Sequence, residues 1–188
     1  LPKYSDVFSR DNKRNTEVVF ALMNNQQEKL TGGYYSYFYH PSNLIASQYR
    51  NNPVPVSSTQ WWSYSREFID VLNKSKAEHN DSRVECNLGE GEYGASGQTL
   101  TWPNKFLGDM SKQPVVEDCD LLYYRYAYAV MMDAELKYYK KDYTGALSSL
   151  NIIAKRAYGV EDFYKIATRD AILEALVNEY FLEFPAEG

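Results

Sequence analysis

The chain is poor in the residues that build metal sites and disulfide scaffolds. Its 188 residues include two cysteines, Cys86 and Cys119, and two histidines, His40 and His79. The cysteines have neither the CxxC spacing nor the clustered histidines of a zinc site. Two are too few for a disulfide-built fold, so they either pair with each other or stand as thiols. Both histidines read as surface residues. No apolar run reaches the roughly 18 residues of a membrane-spanning helix, and no signal-peptide pattern is present. The chain starts at Leu1-Pro2-Lys3, as expected of a processed chain or a fragment. Basic charge is not in excess: 20 Lys and Arg face 25 Asp and Glu, for a net charge of −5. That balance argues against gripping nucleic acid through phosphates and against adsorption to anionic lipid. A Gly-x-Ser-x-Gly elbow, a phosphate loop and a His-Glu-x-x-His pair are also missing, and no cofactor is implied.

What the chain has in abundance is aromatic surface: 18 Tyr, 8 Phe and 3 Trp. Tyr and Trp combine a flat apolar face with a polar handle and suit binding surfaces, although many tyrosines on helices serve as core. Hydrophobic residues make up 44% of the chain, enough for a packed core.

Composition divides the chain near Lys112-Gln113-Pro114 into a loop-rich region, 1–118, and a helical region, 119–188. In the first, Thr16–Met23 reads as a short buried strand. The aromatic run Tyr34–Tyr39 and a short helix after Pro41 follow. A second helix is expected over Trp61–Asn73. The glycine-rich, polar residues 85–104 read as a long surface loop carrying Tyr93 and Trp102.

In the helical region, apolar residues lie nearly all round a helix expected over Leu121–Lys140, the pattern of a helix buried in a larger protein. Asp142 is placed to cap the next helix, and Gly159 to end it in a left-handed conformation. A third helix starts near Thr168, with Ile172, Leu173, Leu176, Tyr180 and Phe181 as its stripe. Short turns make these helices antiparallel neighbours in tetratricopeptide-like pairs. The expected class is mainly α, with short strands in the aromatic-rich part.

The run Tyr123–Gly159, with Arg125, Ala127, Ala134-Glu135, Ala146, Asn151 and Arg156-Ala157, resembles the C-terminal helical hairpin of the SusD/RagB family. The tail Glu179–Gly188 is similar to that family's closing motif. Looser similarities lie upstream in Asn15–Phe20, Asn80–Arg83 and Asn104–Phe106. Tyr180 stands where the family usually has Arg, which removes a cation from the last helix. The resemblance implies a SusD-like fold, represented here by a C-terminal portion of a larger protein. It also implies a lipid-anchored protein on the outer membrane of Bacteroidetes-type bacteria, its anchor lying outside this chain. Such a protein captures glycans, or in some cases peptides, for a TonB-dependent SusC-like transporter, without covalent chemistry.

Sugar binding needs flat aromatic faces beside planar polar groups. The candidates are Trp61, Trp62, Tyr64 and Arg66, with a second group of Tyr93 and Trp102 beside Asn87 and Gln98. A structural role is open for the tryptophans, since neighbours on a helix cannot both face one way. A glycosidase would need two carboxylates roughly 5–10 Å apart. Glu85, Glu90 and Glu92 lie close in sequence but read as solvated charges. Arg125, Glu135 and Arg156 read as structural, with Glu179 or Glu183 as the expected partner of Arg125. A helical scaffold that binds only protein is the competing reading.

Overall fold

A computed structural model describes residues 1–25, 62–93, 98–106 and 118–187. The expected aromatic run Tyr34–Tyr39, the helix after Pro41, His40 and Trp61 lie outside them. The fold is mainly α, with two small sheets.

Two single turns of 3₁₀ helix, Ser5–Val7 and Arg10–Asn12, lead into strand β1, Val18–Leu22. Helix α1 is Arg66–His79, shifted along the chain from the expected 61–73. Its start is set by Ser65, whose hydroxyl accepts from the Phe68 amide at 3.2 Å. Its end is set by Asn80 in the left-handed region, φ 53°. One turn of helix follows, α2, Val84–Asn87.

The expected loop over 85–104 is in fact a hairpin. Strand β2, Leu88–Tyr93, pairs antiparallel with β3, Gln98–Pro103, and Gly89 faces Trp102. The polar, glycine-rich sequence hid the alternation that builds it. Gly89 is required by close approach: a Cβ there would meet Trp102 Nε1 at 2.2 Å. The indole lies over bare backbone and is 1% exposed.

The helix expected from Leu121 is also corrected. Leu121–Arg125 is a strand, β4, paired antiparallel with β1 in the register Phe20↔Tyr124 and Ala21↔Leu122. Leu and Tyr satisfy either period over so short a run, and the partner strand about a hundred residues upstream decides the outcome. Arg125 is still extended, φ −135° and ψ 165°, and helix α3 runs from Tyr126 to Tyr139.

Helix α4, Tyr143–Tyr158, begins where Asp142 accepts from the Gly145 amide at 2.9 Å and ends at Gly159 with φ 69°. Helix α5 is Arg169–Glu183. The three helices pack on one another around Val130, Met131, Leu150, Ile153, Ile172 and Leu176. Of the expected α5 stripe, Ile172 and Leu176 are buried and Tyr180 half-buried, but Leu173 and Phe181 are exposed. The buried row runs instead through Ala175, Glu179, Leu182 and Glu183. Among the described residues no helix is long and apolar enough to cross a membrane.

The two compositional regions share structure. β1 pairs with β4, and Tyr4, Val7 and Phe8 pack with Cys119 and Leu122. Cys86 and Cys119 are not paired with each other, and burial pushes the Cys86 thiol up to about 12.

Candidate functional site

Where β4, α4 and α5 meet, four cations and five carboxylates are brought together: Arg83, Lys105, Arg125 and Arg156 with Glu17, Asp81, Glu179, Glu183 and Glu187. Arg83, Lys105, Arg125, Glu179 and Glu183 have no more than 1% exposure. Charges so deep are tolerated only when each is paired and its remaining hydrogen-bonding positions are filled.

Glu183 is the hub. It accepts from Arg125 Nη1 at 2.7 Å, from Arg83 Nη1 at 3.3 Å and from Arg156 Nη2. Arg125 also donates to Glu187 Oε2 at 2.7 Å and to Glu17 Oε1 at 3.2 Å. Arg156 donates to both Glu17 oxygens, at 2.7 and 2.8 Å. Arg83 donates to Asp81 Oδ2 at 2.8 Å and to Glu179 Oε2 at 2.6 Å. The hydroxyls of Tyr158 and Tyr164 both donate to Glu179 Oε1, at 3.0 and 2.7 Å. Lys105 donates to Glu187 and to the Pro185 carbonyl. The guanidinium of Arg125 lies 4.6 Å from the Phe184 ring centre, and Lys105 4.8 Å from that of Phe8.

Burial by itself would raise Glu183, but the guanidiniums of Arg125, Arg156 and Arg83 outweigh it and hold this carboxyl at about 2. Glu17 behaves alike: burial opposes, and Arg156 and then Arg125 bring it below its ordinary value. Burial draws Lys105 down, against the pull of Glu187. The charges of the network face one another across short hydrogen bonds, which suits scaffolding. Among the described residues no cluster of three His, Cys, Asp or Glu could hold a metal.

Two surface recesses lie close by. One, of about 300 Å³, is bounded by α1 and α5 and floored by Tyr158 and Phe163, with Lys74, Glu78 and Asn178 at its rim. The other, of about 560 Å³, runs along α4 past Ser148, Asn151 and Lys155 to Glu161 and Lys165.

No family model and no curated protein matches the sequence. Solved structures do match the fold. A SusD superfamily protein from Bacteroides fragilis superposes over 100% of this chain and 42% of its own, with a TM-score of 0.74 and 22% identity. NanU of B. fragilis superposes with a TM-score of 0.73 and 19% identity, over 98% of this chain and 44% of its own. The fold is that of the SusD superfamily. Surface glycan-binding protein A from Bacteroides thetaiotaomicron, in complex with laminarihexaose, also aligns, with a TM-score of 0.61 and 16% identity, over 97% of this chain and 44% of its own. The SusD-like chain thus spans less than half the length of each of these structures.

The looser sequence similarities to the SusD family turn out to hold the network. Glu17, Asp81 with Arg83, and Lys105 each lie in one of those short segments, and Glu187 lies in the tail. Asp81, Lys105, Glu17 and Glu187 were not singled out as site residues. Their signal was their place within weakly similar segments, because nothing local marks residues such as Lys105 and Glu17, whose partners are 82 and 139 positions away. Glu135, expected beside Arg125 and Arg156, is elsewhere. It sits on α3 facing α5 and accepts from the Tyr180 hydroxyl at 3.2 Å. The neutral phenol at the position usually held by Arg therefore still meets a carboxylate. Burial, then Glu135, pushes that phenol up to about 12.

The aromatic candidates do not converge on one place. Trp62 is 64% exposed just ahead of α1, and Arg66 is exposed at its first turn. Tyr64 is half-buried with its ring edge-on to Phe68 at 4.9 Å. Tyr93 ends β2 opposite Gln98. Trp102 is withdrawn as a ligand contact because it fills the hairpin core. Asn87 is withdrawn too: it is buried and donates to the Leu182 carbonyl at 2.8 Å. Of the carboxylates weighed for catalysis, Glu85 is exposed and pairs with Lys76 at 3.0 Å.

Proposed function

We propose that this chain is part of a SusD/RagB-family protein that binds glycans non-catalytically at the bacterial outer-membrane surface and passes them to a TonB-dependent, SusC-like transporter. The observation that carries the reading is the fold shared with a surface glycan-binding protein solved with laminarihexaose. The mutual pairing of charges in the buried network supports a scaffold rather than a catalyst. Within this reading, the aromatic-rich region 1–118 supplies the ligand contacts, with Trp62 and Arg66 exposed for the purpose.

A second reading is protein docking alone, or peptide capture by the same fold. It draws on the exposed row Met132, Leu136 and Tyr139 on α3. Titration with soluble polysaccharides and peptides, followed by Trp fluorescence and calorimetry, separates these readings. Saturable glycan binding without breakdown products, weakened in Trp62→Ala, is the expected result. Binding of peptides alone, or of nothing in the panel, would overturn the glycan reading.

A further inference from the structure

We infer that the recess between α1 and α5 is a sugar subsite that takes one neutral pyranose unit. The inference deepens the glycan reading and rests on it.

The floor is aromatic. Tyr158 and Phe163 stack with ring centres 4.0 Å apart and planes at 24°, and His79 stands edge-on to Phe163 at 5.0 Å. The stacking covers one face of each ring and Tyr158 is buried, so the half-buried Phe163 presents the carbon against which the C–H face of a pyranose packs, while its hydroxyls need planar donors and acceptors round the edge. Glu78 and Asn178 supply both kinds at the exposed rim, with His79 beside them.

Charge selects among polar ligands. Lys74 and Glu78 at the rim carry opposite charges, Glu78 lies 3.9 Å from His79 Nε2, and the guanidinium of Arg83 is buried and bound to Asp81 and Glu179. A phosphate, sulfate or carboxylate ligand would meet the Glu78 carboxylate as well as the Lys74 ammonium, whereas an uncharged polyol loses nothing by this balance. Size points the same way. At about 300 Å³ the recess is at the small end of ligand sites, suited to a single ring rather than a run of them.

The floor is also held in place before any ligand arrives. The Tyr158 hydroxyl accepts from Arg83 at 2.8 Å and donates to Glu179 at 3.0 Å. Helix α1 is tied down by the Ser75 hydroxyl, which donates to Asp81 at 2.8 Å. The buried network therefore fixes the aromatic floor and one wall, so little ordering remains for binding to impose.

Calorimetry with laminarihexaose, maltohexaose and cellohexaose tests the assignment, using Asn178→Ala, His79→Ala and Phe163→Ala. The first two change exposed side chains outside the network. Each is expected to weaken the bound oligosaccharide about three- to tenfold, the worth of one hydrogen bond or ring contact. Melting temperatures of these two variants should stay at the wild-type value. Unchanged affinity in all three variants, with binding by the wild type, would overturn the subsite and leave the glycan reading standing. If the wild type bound neither these three oligosaccharides nor any polysaccharide of the panel above, the glycan reading would fail and the subsite with it.

Discussion

The cluster between α3, α4 and α5 is made of Ala, Val, Met, Leu, Ile and Phe, whereas the junction beside it is built from four cations and five carboxylates. Both are dry. The apolar cluster gains stability from area removed from water, and any similar side chain of the right volume serves nearly as well. The junction gains little net energy, because desolvating its ions consumes most of their attraction. What it gains is particularity: Glu183 fits only if three guanidiniums arrive from three different segments. One part of the molecule makes the chain compact, and the other dictates which compact arrangement is reached.

The sharpest way to break this contrast is Arg125→Met. It leaves Glu183, Glu187 and Glu17 short of a partner, and we expect a loss of about 3–5 kcal/mol in urea unfolding. Leu150→Ala, in the apolar cluster, should cost a comparable 2–5 kcal/mol. The two variants differ in their response to acid, which is the second test. The carboxyl of Glu183 falls from 4.5 to about 2 on folding. Its contribution is present above the unfolded value and disappears as pH drops from about 4.5 to 2. That amounts to the order of 3 kcal/mol. Unfolding free energies measured across this window should fall steeply in the wild type and in Leu150→Ala. In Arg125→Met the slope should flatten, and a parallel slope there would contradict the role given to Glu183. The smallest effect is expected at the edge between the two parts. Tyr180→Phe removes one 3.2 Å hydrogen bond to the half-exposed Glu135 carboxylate, weakened by the solvent around it, and should lower the urea midpoint by an amount equal to about 1 kcal/mol or less.

The same contrast explains what could be read from the amino acids alone. Helices α4 and α5 were legible because capping and periodicity are local: Asp142 and Gly159 sit within one turn of the groups they satisfy. Strand β4 was misread as helix because its partner, β1, lies about a hundred residues away. The hairpin over 88–103 was misread because glycine and threonine hid the alternation around Trp102, whose burial depends on the missing side chain at Gly89. At the site, Arg125 and Glu183 stood out through their motifs. Glu17 and Lys105 did not, because no pattern along the chain marks a charge whose partner lies 82 to 139 residues away. The exposed Trp62 and the recess floored by Phe163 belong to different parts of the surface vocabulary. The first is visible as composition, the second only as geometry.

The network also has a place in time. Its pairs close loops of 58 residues for Arg125 and Glu183, 96 for Arg83 and Glu179, and 139 for Arg156 and Glu17. Contacts so remote in the chain repay their loop-closure entropy only after the nearer ones have formed. The α3–α4 turn and the β2–β3 hairpin join neighbours and form early on this argument. The charges then come together when β1 and the last turn of α5 are both in position, and they seal a chain that has already found its course.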